Sequence, residues 1–154
     1  MSTIQSLLDS RGPREVQTIG PEEMVFAAVT RMVEHNIGAM IVVEDNTIKG
    51  IMTERDYLRF VTVQGKTARD TAVSELMTSR VIYITPEITV EEAMAIMTEQ
   101  RIRHLPVMTE GRLVGVVSIG DLVKEISKNQ EAKINFLQEY ISDPYPGPAK
   151  SGKA

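Results

Sequence analysis

The strongest constraint on this chain is that it contains one pattern twice. Sliding the sequence along itself by 65 positions lays "VQTIGPEEMVFAAVTRMVEHNIGAMIVVEDNTIKGIMTERDYL", from Val16, on "VIYITPEITVEEAMAIMTEQRIRHLPVMTEGRLVGVVSIGDLV", from Val81, with no gap. Val25 meets Val90, Ala28 meets Ala93, Met32 meets Met97, Gly50 meets Gly115 and Asp56 meets Asp121. Self-similarity at a fixed spacing means two copies of one supersecondary unit, and matches at apolar and turn positions are what a shared fold requires.

Within each copy the apolar period changes in a fixed order. "VQTI" and "VIYI" are short extended runs ended by Pro21 and Pro86, and the acidic residues after each proline suit the first turn of a helix. Val25, Ala28, Val29, Met32 and Val33 then recur at three and four, as do Val90, Ala93, Met94 and Met97, which gives each helix one apolar stripe. "AMIVV" and "LPVM" are compact runs, each separated by turn residues from a second run, "IKGIM" or "LVGVV", so a hairpin is expected. Pro106, inside a strand run, points to an edge position or a bulge. A second helix opens at "TERDYL" and "SIGDLV".

The expected fold class is α/β with mixed sheets (α+β): two units of strand, helix, strand, strand, helix. Their sheets are expected to pack face to face about a pseudo-twofold axis, since two short units bury little alone. The expected organisation is an N-terminal helix over residues 1–12, a first repeat over 13–62, a connector over 63–77 with a short amphipathic piece near Leu76, a second repeat over 78–127, and a C-terminal helix and frayed tail over 128–154. Met32, Met40, Met52, Met94 and Met97 fall in phase with the core stripes and are expected to pack there.

Composition removes several kinds of chemistry. There is no cysteine among the 154 residues, which excludes thiolate metal sites and thiol nucleophiles, and the two histidines, His35 and His104, lack ligand spacing, so no metal is expected. A net charge of −4 gives no general attraction to nucleic acid. No window has the roughly 18 apolar residues of a membrane span, and the start does not resemble a secretion signal, so a cytoplasmic location is expected. No nucleophile with a base and no glycine-rich phosphate loop is visible, which argues against an enzyme and leaves no catalytic residues to name.

The repeated corner "GIMTERDYL" and "GVVSIGDLV" places a hydroxyl three residues before an aspartate, Thr53 with Asp56 and Ser118 with Asp121. That spacing is also the capping box, which completes a helix start with no ligand. The two roles are compatible, because a helix start offers free amides to an anion and a carboxylate can accept both hydroxyls of a cis-diol. The paired corners, preceded by "IGAMIVVED" and "IRHLPVMTE", closely resemble the cystathionine-beta-synthase (CBS) domain, and two in tandem resemble a Bateman module, over Val16 to Val123.

The resemblance implies a non-catalytic regulatory module with two clefts for adenine nucleotide: AMP, ADP, ATP or NAD, with S-adenosylmethionine as an alternative. It implies ribose binding by Thr53, Asp56, Ser118 and Asp121, and phosphate binding by Arg103 and His104, with Arg55 beside the phosphate path. The adenine pockets fall on Val16, Gly38, Ala39 and Met40 in one cleft and on Ser79, Val81, Leu105 and Pro106 in the other. Because Arg55 corresponds to Gly120, and second-repeat bases in the family reach a nucleotide held at the first aspartate, Arg55, Arg103 and His104 are expected to gather at Asp56 and make it the tighter anionic site. The implied partners are a second copy of the chain, as a homodimer, and an unidentified effector protein. The competing expectation is a structural or protein-interaction module whose clefts are empty.

Overall fold

The computed structural model describes residues 2–63 and 65–128. The elements run α1 (Ile4–Arg11), β1 (Thr18–Ile19), α2 (Val25–His35), β2 (Ala39–Glu44), β3 (Thr47–Thr53), α3 (Glu54–Val63), a 3₁₀ turn (Val73–Glu75), α4 (Val90–Gln100), β4 (His104–Thr109), β5 (Arg112–Ser118) and α5 (Ile119–Ser127). β1 pairs parallel with β2, which pairs antiparallel with β3, while β4 and β5 form the second hairpin. The final helix and tail expected from residue 128 lie outside the described residues except for Lys128, which caps α5.

Backbone detail repeats as closely as the sequence does. Ala39 pairs with Thr53 and His104 with Ser118, and each hairpin shifts register at the same place, Val42/Val43 and Val107/Met108. Pro106 therefore sits one residue before a bulge. Both hairpins turn through two residues of positive φ, Asp45 and Asn46 in one and Glu110 and Gly111 in the other, which suits the twist of the flanking strands. α2 and α4 each end on a left-handed residue, Asn36 and Arg101.

Two local expectations are corrected. The extended runs before Pro21 and Pro86 are shorter than they read: only Thr18–Ile19 form a strand, and Ile84 makes an isolated bridge to Val107. The helices also start later, at Val25 and Val90, so Glu22 and Glu87 stand in a turn outside the first helical turn. The Glu23 carboxylate accepts from the Gly20 amide at 2.7 Å and holds that turn closed.

The cause of the late starts is an arrangement that no single repeat contains. Val25 N donates to Thr71 O at 2.8 Å, Val73 N to Glu23 O at 2.8 Å and Ser74 N to Pro21 O at 3.0 Å, so the connector is bound to the start of α2. In the second repeat Val90 N donates to Ser2 O at 3.0 Å, Ile4 N to Ile88 O at 2.9 Å and Gln5 N to Pro86 O at 2.9 Å. Residues 2–5 thus do for the second repeat what residues 71–74 do for the first. Side chains follow the backbone. Ile4 and Leu7 are buried with Val90, Ala93, Met97, Leu105, Val107, Val117 and Leu122, while Val73 is buried with Val25, Ala28, Met32, Met40, Val42 and Met52.

Among the described residues most of the buried apolar side chains fall into two clusters, one per repeat, and each is closed by the segment that leads into the other repeat. The N-terminal helix belongs to the core of the second repeat, far from it in sequence. β2 is covered on both sides, since Ala39 and Ile41 are buried as well as Met40 and Val42. The methionines behave as expected: Met32, Met40, Met52 and Met97 are buried and Met94 packs at the edge of its cluster.

Ile4→Ala should lower stability by about 2–5 kcal/mol in urea unfolding, the range for deleting a large core side chain. The equivalent glycines separate the two closures further. A methyl group added at Gly50 would stand 2.8 Å from the Thr78 carbonyl oxygen, whereas at Gly115 it would meet the end of the Leu8 side chain at 3.0 Å. Gly50→Ala should therefore cost about 1–3 kcal/mol by overpacking, and Gly115→Ala clearly less, in the same measurement.

Candidate functional site

One cavity, of about 320 Å³, is assembled from three stretches of chain that are far apart in sequence. From the second repeat come His104, Val116, Ser118 and Asp121. The strand register sets the first of these, because His104 lies opposite Ser118 and both stand at the same end of the hairpin. Ser118 is the N-cap of α5, accepting from Asp121 N at 3.2 Å while Asp121 Oδ2 accepts from Ser118 N at 2.8 Å. From the first repeat come Asn36, Ile37, Gly38, Ala39 and Glu54. The left-handed turn at Asn36 delivers Gly38 to the wall, where its missing side chain leaves room for Glu54 and His104. The third stretch, Arg11 with Arg14 to Gln17, is the exit of α1 and the approach to β1.

Charge in the cavity is organised around Asp121. Arg11 Nη1 donates to Asp121 Oδ2 at 3.3 Å and to the Val116 carbonyl at 3.0 Å. Their side chains are 14% and 24% exposed, so the pair is largely withdrawn from water, and burial lowers the pKa of the Arg11 guanidinium despite the neighbouring carboxylate. Arg11 Nε is buried without a partner among the described residues. His104 is held below the ordinary histidine range by burial, with Glu54 and Asp121 pulling it back up.

The first-repeat corner is more self-contained. Asp56 Oδ2 accepts from Thr53 N at 2.9 Å and from the Thr53 hydroxyl at 3.0 Å, Asp56 N donates back to Thr53 Oγ1 at 3.2 Å, and the Thr78 hydroxyl donates to Asp56 Oδ1 at 3.2 Å. Both carboxylate oxygens of Asp56 are engaged. Asp121 Oδ1, by contrast, accepts no hydrogen bond from the described residues. The capping-box reading therefore holds at both corners, and only the second leaves a carboxylate oxygen over for something else.

The sequence-based site residues divide accordingly. Val16, Gly38, Ala39, His104, Ser118 and Asp121 line the one cavity. Met40 and Leu105 are core side chains, Pro106 is buried within β4, Val81 is half-buried and Ser79 is exposed. Of the three residues expected to gather at Asp56, His104 lines the cavity of Asp121, its strand pairing it with Ser118, and Arg55 and Arg103 are exposed and outside that cavity's lining. The cations at Asp121 are Arg11 and Arg14, which the repeat comparison missed because the two copies align only from Val16 onward. The basic pair in "SRGPRE", just ahead of the repeat, was the available signal.

Among the described residues no cluster of His, Cys, Asp and Glu is arranged to hold a metal ion, and no helix is long and apolar enough to cross a membrane.

The CBS domain family matches residues 13–63 and again 73–128. The mitochondrial CBS domain-containing protein CBSX3 of Arabidopsis thaliana is 41% identical over 129 residues, which cover 80% of this chain and 63% of that protein, so the chain spans less than two thirds of that relative. The CBS domain-containing protein YhcV of Bacillus subtilis is 36% identical over 118 residues, covering 77% of this chain and 84% of that one. Among solved structures, the CBS domain protein NE2398 superposes with a TM-score of 0.78 at 44% identity, covering 82% of this chain and 98% of that one. Matched twice across its repeats and along nearly the full length of a solved relative, the chain belongs to the CBS domain family, as a tandem pair.

Proposed function

We propose that this CBS pair is a non-catalytic sensor of adenine nucleotide and that its principal site is the cavity at Asp121. The observation that carries this reading is the meeting, in about 320 Å³, of a carboxylate with one oxygen unengaged, the Gly38–Ala39 backbone of the other repeat, and the cations Arg11 and Arg14. The size falls within the range of small-molecule sites. A carboxylate suits a ribose cis-diol, the apolar walls of Val16, Ile37, Ala39 and Val116 suit the faces of a base, and the arginines suit phosphate. AMP, ADP, ATP and NAD all carry those three parts. S-adenosylmethionine shares the base and ribose but offers the arginines a single carboxylate in place of phosphate.

Ligand bound here touches both repeats, so its differential affinity for two arrangements of the pair is the free energy available for signalling. The listener is an effector protein, through a homodimer of this chain; Leu58 and Val61 on α3 and Val123 and Ile126 on α5 are exposed apolar side chains such an assembly would cover. A second reading, a structural module with no ligand, is favoured by the Arg11–Asp121 pair and by the Thr53, Asp56 and Thr78 network, which already satisfy much of each corner.

Asp121→Asn keeps the shape of the corner and removes its charge. It should weaken nucleotide binding at least ten-fold, about 1.4 kcal/mol, in calorimetry, with Asp56→Asn having the smaller effect. Unchanged affinity in Asp121→Asn would place the nucleotide outside this cavity, and no thermal stabilisation of the wild type by any adenine compound would decide for the structural module. The depressed pKa of His104 adds a pH dependence with a definite sign. Phosphate beside the imidazole favours its charged form, so binding takes up a proton and tightens as pH falls toward the lowered pKa of the unliganded His104. His104→Gln should flatten that slope across the same calorimetric series.

A further inference from the structure

Arg11 occupies the group that a ligand of this cavity needs. It sits at the last turn of α1, which Ile4 and Leu7 anchor in the second core, so its guanidinium is delivered to the corner by the fold. Its recorded bonds run through Nη1, to Asp121 Oδ2 and to the Val116 carbonyl, while Nε is buried without a partner. A guanidinium has five N–H donors in a planar fork, so this contact leaves it under-satisfied, and a phosphate group offers more acceptor oxygens in a matching geometry. Gly12, at φ 80°, turns the chain so that Arg14 lines the same cavity. Acidic groups face it too: Glu15, Glu54 and Asp121 line the cavity, three carboxylates against the two arginines, so the site as it stands gives an anion no free advantage.

We propose that Arg11 is a specificity-determining clasp, pairing with Asp121 when the cleft is empty and transferring to phosphate when a ligand enters, so that the cleft selects phosphorylated nucleosides over uncharged ones. This rests on the nucleotide reading of the same cavity. A neutral nucleoside must compete with Arg11 for Asp121 and offers the guanidinium nothing in return. A phosphorylated one releases the carboxylate for its ribose and supplies the arginine with a better acceptor in the same step. Removing the clasp therefore has opposite effects on the two ligands, which a merely structural arginine would not produce.

The test is calorimetric binding of ATP, adenosine and inorganic tripolyphosphate to the full chain, in the wild type, Arg11→Gln and Arg11→Lys, with unfolding curves to verify the fold. Wild type should prefer ATP to adenosine by at least ten-fold. Arg11→Gln should weaken ATP ten-fold or more while binding adenosine more tightly, and Arg11→Lys, which keeps the charge, should restore part of the preference for ATP. An ATP-to-adenosine ratio that Arg11→Gln leaves unchanged, or a parallel loss of both ligands, overturns the clasp while the nucleotide reading stands. Tripolyphosphate binding that depends on Arg11, with no binding of adenosine or ATP, overturns the selection of phosphorylated nucleosides and removes the nucleotide reading with it. Wild type that binds none of the three overturns both.

Discussion

The structure depends on a reciprocal closure in which each repeat is completed by the chain segment leading into the other. Neither hairpin with its helices covers its own core. The backbone groups at the start of α2 are answered by Thr71, and those at the start of α4 by Ser2, while Val73 and Ile4 fill the matching positions in the two cores. Free amides at a helix start need partners, and apolar side chains at its base need cover. Because both needs are met by the wrong repeat's leader, the two halves cannot be separated without opening both cores.

That closure also makes the two corners unequal. The segment over the second repeat is a helix that ends at the corner and places Arg11 against Asp121, whereas the segment over the first is a single 3₁₀ turn that brings the Thr78 hydroxyl to Asp56. One aspartate thus faces a half-buried cation beside an open cavity, and the other is tied by neutral hydrogen bonds on both oxygens. Two corners with the same sequence pattern have different chemistry because different neighbours are folded onto them. The comparison of Arg55 with Gly120 pointed to Asp56 instead, since it weighed only residues inside the repeats, and Arg55 is exposed.

Some of the site was legible and some was not, for identifiable reasons. Ser118 and Asp121 were legible as a cap because cap residues act over three positions and the duplicated spacing marks them twice, whereas Val16, Gly38 and Ala39 came only through the resemblance to the CBS domain. Arg11 and Arg14 were not legible, since nothing local distinguishes an arginine that ends under another repeat from one that stays in water. Met40 and Leu105, which the resemblance brings to the adenine pockets through the strand backbone, turn their side chains into the cores. Alternation along a strand says that successive side chains face opposite ways, but which face is core and which is cleft depends on what packs above.

Sequence alone determined the unit and its duplication: hairpins with a two-residue turn, helices with one apolar stripe, and capped corners at a fixed spacing, because each of these is set by interactions between near neighbours in the chain. Tertiary structure decided which segment closes which core, which corner acquires a cation and which aspartate keeps an oxygen unengaged. Those outcomes rest on contacts between residues about a hundred positions apart, such as Arg11 with Asp121, and no local preference records them.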